Sequence, residues 1–135
     1  MGILDWLGVK RSPQPPSEDL DFLFIHLPGR IEPMQRGEQF EDPLSERLSE
    51  ARLGAISGGG SELGDEDEEG RRFVTAAGID VDTTDGEAAR ALLREHLPKL
   101  GCPAGTEIQF EQPRGVALRD VFDGHEWSLG LARAD

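Results

Sequence analysis

The chain has no tyrosine, a single cysteine and only 6% aromatic residues among its 135 positions. With one cysteine, Cys102, no internal disulfide is possible, and a reducing, cytoplasmic setting is the natural expectation. With three histidines beside it, no His/Cys cluster has metal-ligand spacing, so no metal or other cofactor is expected. Long apolar runs are missing too. None approaches the roughly twenty residues that cross a bilayer, and the apolar patch at the N-terminus is too short for a secretory signal. Basic residues are scarce: 14 Lys and Arg stand against 27 Asp and Glu, for a net charge of -13. Such a surface repels a phosphate backbone, which excludes nucleic acid as a partner. It suits a basic protein, or serves solubility alone. No Ser-x-x-Lys pair, nucleophile elbow or Walker-type loop occurs, and no enzymatic activity is expected.

What the chain does contain is glycine, in one place above all. Gly54 to Leu63 reads Gly-Ala-Ile-Ser-Gly-Gly-Gly-Ser-Glu-Leu. Three consecutive glycines, Gly58, Gly59 and Gly60, weaken a strand, so their presence predicts close backbone approach, a bulge or positive φ. Directly after them, Asp65, Glu66, Asp67, Glu68 and Glu69 form the most acidic run, a mutually repelling and therefore solvated turn. It lacks the alternating oxygens and distal Glu of a calcium loop.

Residues 1–17 read as a separate N-terminal segment, and 18–135 as one α+β domain. Ile3, Trp6 and Leu7 give one apolar helical face, with Lys10 and Arg11 behind; it covers an apolar patch of the domain or touches a membrane surface. Pro13, Pro15 and Pro16 make the following stretch an extended linker. Asp21 to Leu27 is nearly continuous in apolar residues and predicts a central strand buried on both faces, with His26 as a hydrogen-bonded core or rim residue. Arg30 to Glu41 reads as a loop. Asp42-Pro43 then opens a helix striped by Leu44, Leu48 and Ala51 and stopped by Gly54. Arg72 to Val81 alternates as a strand, with Phe73, Thr75, Ala77, Ile79 and Val81 inward and Asp80 and Asp82 outward. Thr84 and Glu87 form a capping box for a helix whose stripe is Ala89, Leu92, Leu93, His96, Leu97 and Leu100, with Gly101 ending it. Thr106 to Glu111 is a fourth strand with Ile108 and Phe110 inward. Asp123-Gly124 signals a two-residue hairpin turn, whose second arm buries Trp127, Leu129 and Leu131.

The order strand, helix, strand, strand, helix, strand is that of a ferredoxin-like split βαββαβ two-layer sandwich, here with an added C-terminal β-hairpin. Gly54 to Leu63, the strand Gly78 to Val81 and the loop Gly101-Cys102-Pro103-Ala104-Gly105-Thr106 together resemble a family of small bacterial proteins. Its pattern is Gly-x-hydrophobic-x-Gly-Gly-Gly-x-x-Leu, an Ile-Asp-hydrophobic strand, a capped helix and Gly-x-Pro-Lys-Gly-Ser. The resemblance spans about Phe22 to Phe110 and implies similarity to immunity proteins of contact-dependent or polymorphic toxin systems. Ala104 stands where the family carries lysine, so no role of that lysine transfers.

Two functional readings follow. In the first the protein is a non-catalytic, acidic, immunity-type inhibitor that occupies a basic toxin enzyme encoded by a neighbouring gene, through Glu62, Asp65, Glu66, Asp67, Glu68, Glu69, Asp80 and Asp82. In the second it is a small-ligand or regulatory module that contacts its ligand through the backbone of Gly58, Gly59 and Gly60.

Overall fold

A computed structural model describes residues 20–133. The expectations for the N-terminal segment and its linker lie outside the described residues. The fold is α+β. Its single sheet has six antiparallel strands in the order β2-β3-β1-β4-β5-β6, made of β1 (Asp21–Pro28), β2 (Gly54–Leu63), β3 (Val74–Thr83), β4 (Glu107–Glu111), β5 (Ala117–Phe122) and β6 (Trp127–Ala132). Between β1 and β2 runs a helical stretch, α1 (Pro33–Gln35), a π-helical turn (Arg36–Glu41) and α2 (Asp42–Glu50); between β3 and β4 lies α3 (Gly86–Lys99). Leu44 and Leu48 of α2 and Ala89, Leu93 and Leu97 of α3 are buried with Leu23, Ile25 and Leu27 of β1 and Ile79 and Val81 of β3. Both helices therefore cover one face of the sheet. Among the described residues, no helix is long and apolar enough to cross a membrane.

β1 is central, as its apolar run predicts, but it is not buried on both faces. Its exposure alternates: Leu23, Ile25 and Leu27 are in the core, while Phe22 is 57% exposed and Phe24 and His26 are half-buried on the opposite face. Among the described residues, one helical layer covers a strand whose composition suits two.

The stretch read as a loop, Arg30 to Glu41, is largely helical, and Asp42 is not a cap but an interior residue. The start signal is Glu32-Pro33, with Glu32 extended and Pro33 in the first turn. Pro43 is tolerated inside because the preceding turn is π-helical. There the Asp42 N–H donates to the Gly37 carbonyl, one residue further back than in an α-helix. Gly54 does not stop the helix either. Arg52 takes the left-handed position with φ 58°, and the N–H groups of Arg52 and Leu53 donate to the carbonyls of Ser49 and Leu48.

The cap of α3 is Asp85 rather than Thr84. The Asp85 carboxylate accepts the Ala88 N–H at 3.1 Å, and the buried Thr83 hydroxyl accepts the Asp85 N–H at 3.0 Å. The C-terminus matches expectation, with Gly101 at φ 93° and the Cys102 N–H donating to the Leu97 carbonyl. β3 begins at Val74; Ala77, Ile79 and Val81 pack in the helix-side core, Val74 and Ala76 are buried as well, and Phe73 and Thr75, read as inward, are exposed.

The C-terminal hairpin departs most. Its connection runs from Asp123 to Glu126, closed by the Asp123 carboxylate accepting the His125 and Glu126 N–H groups at 2.8 Å each. Those bonds hold the Asp123 carboxyl below its ordinary pKa. Trp127 packs on the core beside Phe122, but Leu129 and Leu131 are 54% and 40% exposed. A register shift opposite Asp120, with Gly130 at φ 67°, breaks the alternation after Ser128.

Candidate functional site: the outer face of the sheet

Side chains that point away from the helices form a second face. Directly paired residues of an antiparallel sheet share a face, so the register traces rows across it. One row is Gly58, Asp80, Phe24, Gln109, Arg119 and Leu131. The next is Gly60, Gly78, His26, Glu107, Val121 and Ser128. The ring of Phe24 lies across Gly78: a Cβ there would sit 2.5 Å from the Phe24 Cζ. His26 Nε2 is 3.9 Å from Glu62 Oε1 on the edge strand. His26, read as a hydrogen-bonded core or rim residue, is instead half-buried in the middle of this face, with no side-chain hydrogen bond among the described residues.

The triple glycine has three different environments. Gly58 faces outward, where a Cβ would lie 3.1 Å from the Asp80 carboxylate. Gly59 faces the helices, and a Cβ there would strike the Glu41 carboxylate, which is paired with Arg36 at 2.8 Å. Gly60 faces outward into open space. A register shift between Ile56 and Gly58 supplies the expected bulge, and Gly59 the expected close approach. Positive φ is not the reason, because none of the three has it.

Among the described residues, two concavities reach the outer face, the larger of them passing through the sheet to α3. A trough of about 380 Å³ lies between Phe24 and His26 on one side and Gly59, Gly60 and Glu62 on the other, floored by Ala76 and Gly78. A larger cleft of about 840 Å³ lies where the start of β1 faces the end of β4. Phe24 and Asp80 line both, so the two form one continuous surface.

The structure divides the carboxylates picked out by sequence into two groups. Asp65 to Glu69 occupy the turn between β2 and β3, at the Val74 end of β3. Asp80 lies six residues further along that strand, roughly 20 Å away at about 3.3 Å per residue. Within the turn, Asp67 is structural: its carboxylate accepts the Glu69 and Arg71 N–H groups at 2.9 Å each. Arg71 pairs with Asp67 and Glu69, and Arg72 lies 3.9 Å from Glu66. Asp65 and Glu68 have no ion pair among the described residues. On the sheet, Asp82 accepts the Ser57 hydroxyl at 3.1 Å, and Asp80 has no ion pair among the described residues. Glu62 belongs to the trough, beside His26.

Sequence reasoning missed one buried ionic cluster. Asp120 is 0% exposed and accepts from Arg94 Nη1 at 2.8 Å, Arg90 Nη1 at 3.1 Å and the Gly130 N–H at 2.9 Å. Arg90 also lies over Phe110, 3.8 Å from the ring centre. This cluster ties α3 to the hairpin and leaves the Asp120 carboxylate well satisfied, as a buried charge must be. A signal existed: Asp120 falls at the inward position between Leu118 and Phe122, and Arg90 and Arg94 are one helical turn apart. No group of three or more His, Cys, Asp or Glu among the described residues is placed to hold a metal ion. Comparison with protein-family models, with curated proteins and with solved structures found no match.

Proposed function

We propose that the protein is a non-catalytic, acidic binding module, an immunity-type inhibitor that neutralises a basic toxin enzyme. The observation that carries this reading is the outer sheet face, where the aromatic rings of Phe22 and Phe24 stand beside the carboxylate of Asp80, which has no ion pair among the described residues. A basic partner would gain apolar contact and charge neutralisation from the same patch. The turn from Asp65 to Glu69 is too far along β3 to share that contact and instead acts at a distance, raising the rate of encounter. We read the strand order β2-β3-β1-β4, with helices between β1 and β2 and between β3 and β4, as a split βαββαβ unit, and the β5–β6 hairpin as an extension of its sheet.

Association kinetics with the product of the adjacent gene test the proposal. Changing Asp65, Glu66, Glu68 and Glu69 to their amides, and sparing the structural Asp67, should slow association and flatten its salt dependence while leaving the thermal transition in place. Charges further apart than about 8 Å are screened at physiological salt, so wild-type rates should fall as salt rises. Equal rates at low and high salt, in wild type and variant alike, would overturn the electrostatic reading. The trough at Gly59 and Gly60 supports a second reading, a small-ligand module, since its volume of about 380 Å³ falls within the range of ligand pockets. A ligand-dependent rise in melting temperature, lost in a Gly60→Leu variant, is the result that reading expects.

A further inference from the structure

The sheet has a discontinuity at its centre. β1 pairs with β3 along its whole length, from Asp21 to Pro28, but with β4 only over Phe24, Ile25 and His26. Before Phe24 the two strands part, and the gap between them is the larger cleft, which runs from the outer face through to the first turns of α3. Phe22, the most exposed aromatic ring of the sheet, stands at its mouth beside Phe24.

The cations of the cleft are already matched. Arg90 is held by Asp120 and stacked on Phe110. Arg133 donates to Gln109 Oε1 at 3.2 Å and lies 4.0 Å from Glu111. The carboxylates are not all matched. Asp21 accepts the Gly86 N–H at 3.0 Å, but Asp80 and Glu87 have no ion pair among the described residues. The cleft therefore presents uncompensated negative charge next to an exposed aromatic surface, in a chain whose net charge is -13.

We propose that this cleft seats an arginine side chain of the basic partner protein, with Asp80 at its outer end or Glu87 at its helix end accepting the N–H groups and Phe22 or Phe24 meeting the planar face. Arginine fits better than lysine because its guanidinium is flat, weakly hydrated and carries five donors, so it can stack and donate at once. The chain uses the same pairing on its own account: Arg90 lies over Phe110 at 3.8 Å, and Arg30 and Arg71 over Phe73 at 4.1 and 5.9 Å. This inference rests on the reading that the partner is basic, and adds to it the seat and the side chain recognised.

The probe is a hexapeptide of alternating glycine and arginine, acetylated and amidated, titrated into the full-length protein while backbone amide shifts are followed by NMR. Counterparts carry citrulline, which keeps the shape and removes the charge, or lysine. Shifts should centre on Phe22, Phe24, Asp80 and Glu87, with the arginine peptide binding about ten-fold tighter than the citrulline one. Asp80→Asn with Glu87→Gln should abolish that preference, and Phe22→Ala should narrow the gap between arginine and lysine; the melting temperature of each variant checks that it folds. Equal binding of the arginine and citrulline peptides, or no shift with any peptide, would overturn the proposal. Shifts centred on Asp65 to Glu69 would also overturn it, yet leave the basic-partner reading standing. A neighbouring gene product that binds with salt-dependent rates but is indifferent to Asp80→Asn and Glu87→Gln separates the two in the same way.

Discussion

At the scale of single residues, the three adjacent glycines are not equivalent. Gly59 is fixed by the helix that approaches it, whereas Gly60 is open on its own face. Gly59→Ala must displace the Glu41 carboxylate from its pair with Arg36 and crowd the Gly78 carbonyl 3.2 Å away, at a cost of about 1–3 kcal/mol in a denaturation experiment. Gly60→Ala should stay within about 0.5 kcal/mol of the parent. Equal effects would mean that the approach of the Arg36–Glu41 pair is not what Gly59 accommodates. Cys102 gives a second residue-level prediction. Burial pushes its thiol above the ordinary value of 9.0, outweighing the hydrogen bond from Thr106 that lowers it. A group whose folded pKa is raised stabilises the fold fully below the unfolded value and loses that contribution as pH rises through the folded one. The denaturation midpoint should therefore begin to fall as pH passes about 9, and a Cys102→Ala variant should show a flatter profile there. An identical alkaline decline in both would assign it to another group. Sequence indicated that the glycines mattered; it could not say which, because the partner of Gly59 is contributed by a helix read as a loop.

At the scale of elements, strands and caps with local signals were legible, while features set by tertiary partners were not. Alternation located β3 and β4, and Gly101 located the end of α3. Leu93 and Leu97 lie fully buried on the stripe expected of that helix. The helical stretch before Asp42 was missed because its polar, glycine-containing sequence has no regular stripe: it buries only Phe40, through a π-helical turn with a different period. The exposed Leu129 and Leu131 were missed because the bulge that turns them is defined by its partner strand. Pro98 shows a long-range compensation. Proline at that position cannot donate to the Arg94 carbonyl one turn back, and the indole Nε1–H of Trp127 donates to it instead at 3.0 Å. Trp127→Phe leaves that carbonyl unpaired and should cost about 1–3 kcal/mol beyond any packing change. Adding Pro98→Ala restores a backbone donor, so the double variant should be more stable than the sum of the single effects implies. Strict additivity would show that the indole bond carries no weight in the stability of the helix end.

At the scale of the whole molecule, composition and element order were enough to infer an α+β fold with its first strand in the middle of the sheet. That order also implied a two-layer sandwich with helices on one sheet face, and apolar composition proved a weaker guide to burial than the number of layers. The aromatic run of β1 was misjudged for the same reason: Phe22 and Phe24 belong to a surface, not to a second core. The acidic character of the chain was plain from the sequence, but its division was not. Only the register shows that Asp80 sits among aromatic rings while Asp65 to Glu69 lie at the far end of the hairpin. The two groups then have separable kinetic signatures. Loss of the turn charges should act on association, and loss of Asp80 on dissociation.

The central position of β1 also bears on how the protein comes to fold during synthesis. β1 leaves the ribosome first among the strands, yet the strands that flank it, β3 and β4, are the third and fourth to be made. Its apolar side chains must wait, without a partner strand, until the whole β2–β3 hairpin has emerged. Contacts between segments so distant in sequence close slowly. A nascent chain stalled before Val74 therefore carries Asp21 to Pro28 as an unpaired sticky strand, and rescue by a chaperone at that length is where the topology of this sheet should first be felt in the cell.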